Sequence, residues 1–76
     1  MDRYLLEYHM KSKGISTAEF CEKVGMSATT YYRKINGETE FTLAEIKKTA
    51  EVLDIKDIRP IFFADEVAET APKEGQ

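Results

Sequence analysis

STAEFCEKVGMSATTYYRKING, residues Ser16 to Gly37, reads as two short helices meeting at Gly25. Ser16 and Glu19 have the spacing of a capping box, in which the serine hydroxyl takes a first-turn amide and the glutamate reaches back to the serine amide. Ile15 and Phe20 flank that cap at the positions of a hydrophobic staple. After the glycine the pattern repeats, with Ser27 as cap and Met26 and Tyr31 as staple. It returns at Thr42 with Glu45, flanked by Phe41 and Ile46. Helix starts are therefore predicted near residues 17, 28 and 43.

The first of these helices spans only Thr17 to Val24, and the chain then reverses within Gly25, Met26 and Ser27. So tight a reversal requires a positive φ, which glycine adopts without steric cost. Two axes that cross steeply need a small side chain where they come closest. Cys21, four residues before Gly25, fills that position, with Phe20, Val24, Met26 and Tyr31 as the apolar contacts around it.

Outward from this unit, a first helix is predicted to begin after Asp2 and run to about Lys13, with Leu5, Leu6 and Met10 as its apolar edge and Gly14 as its left-handed end. A fourth helix runs to about Leu53 with Leu43, Ile46, Ala50 and Leu53 as a buried stripe, and Asp54 breaks it. A fifth must accommodate Pro60 in its first turn, where the missing N–H has no partner to lose. Asp57 is its expected cap, and its end falls near Phe63 or Ala64. Ile58, Ile61, Phe62 and Phe63 either close the core or form a dimer face. The expectation is one all-α domain over residues 1–64, a compact five-helix bundle, followed by an acidic, disordered tail over 65–76.

Seventy-six residues sit near the lower limit for a core without staples. A single cysteine excludes an internal disulfide, and no CxxC or His/Cys cluster suggests a structural metal. Met1-Asp2 is followed by no long apolar run, so no signal peptide or membrane span is expected, and a reduced, cytoplasmic setting is. One histidine, no glycine-rich phosphate loop and no paired carboxylates argue against an enzyme, a cofactor or a small-molecule substrate. His9 reads as a packing or surface residue and Cys21 as a buried, inert thiol.

The net charge of −3 is set by the last twelve residues, because residues 1–63 carry ten basic and ten acidic side chains. Between Lys23 and Gly37 stand Lys23, Arg33 and Lys34 and no acid. That gives a locally positive face on a neutral body, compatible with nucleic acid and equally with a solvated helix face.

Gly14-Ile15-Ser16, Phe20, Val24-Gly25-Met26-Ser27, Asn36-Gly37 and the Leu43, Ile46, Leu53 stripe resemble the helix-turn-helix of the lambdoid phage repressor and Cro family, also called the XRE family. The likeness runs from about Leu5 to Phe63, and the closing Ile61-Phe62-Phe63 is similar to small prophage-encoded members. It implies a lambda repressor-like bundle whose second and third helices read double-stranded DNA, in a transcriptional regulator, usually a repressor, that binds its operator as a homodimer. Where many relatives pair an arginine late in helix one with a glutamate late in the recognition helix, this chain has Met10 and Ile35, an apolar replacement. Glu38 and Glu40 depart further, placing carboxylates where relatives approach the DNA backbone.

On a recognition helix of about 28–36, Ala28, Thr29, Tyr32 and Arg33 are expected to face bases. Arg33 can pair bidentately with guanine O6 and N7, or instead sit on phosphate or in solvent. Ala28 and Thr29 suit a thymine methyl or an adenine edge, and Tyr32 a phosphate or sugar. Phosphate contacts are expected from Thr17 with the free amides of its helix start, from Lys23, Ser27 and Asn36, and from the backbone of Gly37. Lys34 joins them with a buried stem and an ammonium reaching solvent or phosphate. The alternative, favoured by Glu38, Glu40 and the acidic tail, is a protein-interaction module of antirepressor or antitoxin type on the same bundle.

Overall fold

In a computed structural model, which describes residues 1–63, four of the five helices start on a side chain that caps them. They are α1 (Arg3–Ser12), α2 (Thr17–Val24), α3 (Ala28–Ile35), α4 (Leu43–Leu53) and α5 (Arg59–Phe62). Asp2 Oδ1 accepts the Leu5 amide at 3.0 Å and opens α1. Ser16 with Glu19 and Thr42 with Glu45 form the two complete capping boxes, and Ser27 caps α3 through the Thr30 amide. Each such cap contributes about 1 kcal/mol. The starts of α2, α3 and α4 fall where the capping and staple residues put them.

Gly25 has φ 92° and ψ 37°, and its amide and that of Met26 both donate to the Cys21 carbonyl at 2.8 and 2.9 Å. The left-handed turn thus satisfies the end of α2 while sending the chain straight into α3. Gly14 plays the corresponding part after α1, at φ 68°.

The helices bury one core: Leu6, Met10, Phe20, Cys21, Tyr31, Ile35, Leu53 and Ile61. Burying an apolar side chain of this size contributes about 1.5–3 kcal/mol, so these residues dominate the stability. Phe20 and Tyr31 meet edge to face, centroids 5.7 Å apart, across the α2–α3 junction. Met10 and Ile35 both lie in this core, and the Tyr31 hydroxyl lies 3.7 Å from the Met10 sulfur. Burial raises the pKa of the Cys21 thiol, which keeps it protonated.

Helix four differs from its expected stripe. Leu43 is 66 % exposed and Ala50 only half-buried, whereas Thr49 is fully buried. At about 100° per residue, Ile46, Thr49 and Leu53 share an arc of roughly 60°, and Leu43 stands about 60° outside it. The Thr49 hydroxyl tolerates that place because it donates to the Glu45 carbonyl one turn back, at 2.8 Å.

In α5 Pro60 occupies the first turn, as expected. Asp57 acts one position early: its carboxylate accepts the Arg59 amide at 3.1 Å and the Arg59 guanidinium at 2.9 Å, while Ile58 holds the cap position itself. Ile61 is buried, Phe62 packs edge-on against Phe41 at 5.0 Å, and Phe63 is partly exposed. The Asp2 amide donates to the Ile61 carbonyl at 2.7 Å, joining the start of α1 to α5. The predicted tail lies outside the described residues.

Candidate nucleic-acid interface

Helix α3 divides cleanly. Tyr31, Lys34 and Ile35 face inward, at 1 %, 8 % and 7 % exposure. Ala28, Thr29, Tyr32, Arg33 and Asn36 are all exposed. The four residues expected to face bases and Asn36, expected at a phosphate, therefore form one surface, fixed by core side chains on the opposite face of the same two turns. Tyr32 rests edge-on against Tyr31 at 5.4 Å, which holds its ring close to the helix while leaving the side chain half exposed. Arg33 makes no ion pair with any described residue, so its guanidinium retains all its donors.

The expected phosphate contacts separate into several groups. At the start of α2 the Thr17 and Ala18 amides have no acceptor among the described residues, leaving two donors at the positive end of a helix dipole. Lys23 is exposed at the far end of that helix, beside Lys48 and Glu51 of α4. The Ser27 hydroxyl already accepts the Thr30 amide at 3.1 Å and donates to the Thr30 hydroxyl at 3.0 Å. The Gly37 amide is engaged with the Lys34 carbonyl at 3.2 Å, so this backbone group is not a free donor.

Lys34 departs from expectation. Its ammonium turns inward, 2.9 Å from Glu45 Oε1 and 2.9 Å from the Glu40 carbonyl, and lies 5.7 Å from the centre of the Phe41 ring. It does not reach solvent as a snorkelling lysine would, because the capping carboxylate of α4 meets it inside. Burial on its own would raise the pKa of Glu45, but the Thr42 amide and the Lys34 ammonium outweigh it and hold the carboxyl below its usual range.

One participant gave no local signal. Arg3 reaches from α1 to the end of α3, donating Nη1 to Asn36 Oδ1 at 3.1 Å, with Nη2 3.5 Å from Glu7. Its buried Nε has no acceptor among the described residues. Holding the Asn36 carbonyl oxygen fixes which way that amide faces and leaves its NH2 group as the outward donor. The pair spans 33 residues, a separation that no sequence window connects. Glu38 and Glu40 are exposed immediately after this surface.

No helix among the described residues is long and apolar enough to cross a membrane. No curated protein and no solved structure is significantly similar to the chain. A helix-turn-helix family matches residues 6–59, which takes in the capped pair α2–α3, all of α4 and most of α1. The chain belongs to that family, the XRE-type helix-turn-helix proteins.

Proposed function

We propose that the protein is a sequence-specific double-stranded DNA-binding regulator that lays α3 in the major groove. The observation that carries this reading is the outer face of α3 and its cap Asn36: five exposed residues without an acid, one of them an arginine with no ion pair among the described residues, on a helix anchored by its other face. The family is one of DNA-binding regulators and not typically enzymatic, which agrees with it. Arg33 reads a guanine, Ala28 and Thr29 meet neighbouring base edges, and Tyr32 contacts the backbone. Thr17, with the free amides at the start of α2, and Asn36 grip phosphates on either side, and Lys23 adds charge.

One domain of this size covers about half of a typical operator. Two copies related by a two-fold axis would place their recognition helices ~34 Å apart, one turn of DNA. Part-exposed Phe63 and its neighbour Phe62 supply an apolar surface for that pairing. Repression, in the manner of a phage or prophage regulator, is the outcome proposed, since an occupied operator excludes polymerase.

The test is selection of bound duplexes from a random pool, followed by anisotropy titration of the selected site and a scrambled one over a range of salt. Binding should weaken steeply with salt, and Arg33→Ala should cost about 1–3 kcal/mol on the selected site only. An equal loss on both duplexes would show that Arg33 does not read bases. Absence of binding to any duplex at low salt would overturn the function in favour of a protein partner, the reading that Glu38 and Glu40 favour.

A further inference from the structure

We propose that Lys34 is a positioning residue, which clamps the segment between α3 and α4 and so fixes the stand-off of Glu38 and Glu40 from bound DNA; this rests on the DNA-binding reading above.

The segment from Asn36 to Thr42 joins the recognition helix to α4, and before the Thr42 carbonyl, which accepts the Ile46 amide, its backbone bonds to described residues are all at its beginning. Gly37 donates to the Lys34 carbonyl, and Glu38 and Thr39 both donate to that of Arg33. Glu40 and Phe41 donate no backbone hydrogen bond to any described residue. Phe41 is held by its packing on Phe62, and Lys34 supplies the hydrogen bond that ties this half of the loop down: its ammonium binds the Glu40 carbonyl and sits near the Phe41 ring. The same ammonium binds Glu45, whose Oε1 also accepts the Thr42 amide at 2.8 Å. One cation therefore links the inner face of α3, the middle of the loop and the capping box of α4.

Drawing the Glu40 carbonyl inward leaves the Glu40 side chain outside, and that of Glu38 with it. These carboxylates are the nearest like charges that phosphates would meet after α3. A loop held on one course keeps them at one distance from the DNA, whereas a loosened loop would let them sample closer approach. Lys34 at 8 % exposure cannot serve a phosphate without abandoning both its partners, one of them a half-enclosed carboxylate.

Lys34→Met keeps the stem and removes the ammonium. If that variant does not fold, Lys34→Met with Glu45→Gln removes the orphaned charge and keeps an acceptor for Thr42. Two measurements decide. In the free protein, backbone 15N order parameters of residues 39–40 should fall from about 0.85 to below ~0.6 while α3 and α4 stay rigid. On the selected duplex, affinity should drop about tenfold with an unchanged slope of log K against log salt, since no phosphate contact is lost. Either a loop that keeps its order, or a slope shallower by ~0.9 as expected for one lost phosphate contact, would overturn the assignment. If the unmodified protein binds no duplex, the function fails, and the order parameters still decide whether Lys34 holds the loop.

Discussion

Replacing Gly25 by alanine isolates what the turn contributes. The residue sits at φ 92°, ψ 37°, and a Cβ built there meets nothing within 4 Å. Steric conflict with the rest of the protein is therefore absent, and only the backbone preference remains. Left-handed geometry costs an L-residue about 1–2 kcal/mol. Alanine also restricts the unfolded chain, which returns about 0.4–1 kcal/mol. Gly25→Ala should thus lower stability by about 1 kcal/mol, read as a shift in the urea midpoint at constant m, or as a fall in Tm of about 4–8 °C. D-alanine at the same position, introduced by chemical synthesis, finds this conformation favourable and should instead stabilise by about 0.4–1 kcal/mol. A loss of 3 kcal/mol or more would imply a buried clash of roughly the size of a disrupted core, contrary to the open space observed. A neutral L-alanine together with a destabilising D-alanine would show that the turn is not left-handed.

Two further expectations concern the interior. The Tyr31 phenol is pushed up to about 12, chiefly by burial and then by the charge of Glu7. Because the folded phenol holds its proton more tightly than the unfolded one, its contribution is complete below pH 10 and disappears as pH climbs towards 12, about 2–3 kcal/mol in all. Urea melts between pH 9 and 12 should show that decline in the wild type and a shallower one in Tyr31→Phe, and parallel curves would refute it. On α4, Thr49→Val should cost about 1 kcal/mol or less by removing the hydroxyl bond to Glu45, and Leu43→Lys should stay within about 0.5 kcal/mol. A cost for Leu43→Lys above 2 kcal/mol would restore the leucine to the core.

Much of the architecture was legible because its determinants are local. A capping box needs residues three apart, a staple needs five, and Gly25 needs only itself. Those signals located the starts of α2, α3 and α4 and the outward face of α3. Rotation of α4 was not legible, since Leu43 is more apolar than Thr49, and packing against α2 decides which arc is covered. The same reason hid the roles of Lys34 and Arg3: their partners, Glu45 and Asn36, are brought to them by tertiary structure. A lysine on the inner face was visible in the sequence, but the carboxylate waiting for it was not.

The bond from the Asp2 amide to the Ile61 carbonyl has a consequence for how the molecule comes apart. A helix of four residues has no standing of its own in water, so α5 exists only while α1 and Phe41 are there to receive it. Fastening the two brings together distant points of the chain, and its entropic cost falls on the whole intervening length at once. The domain is in this respect a clasped bracelet: undo the clasp and every bead is loosened together, so heat should melt it in one sharp step and not from its ends inward.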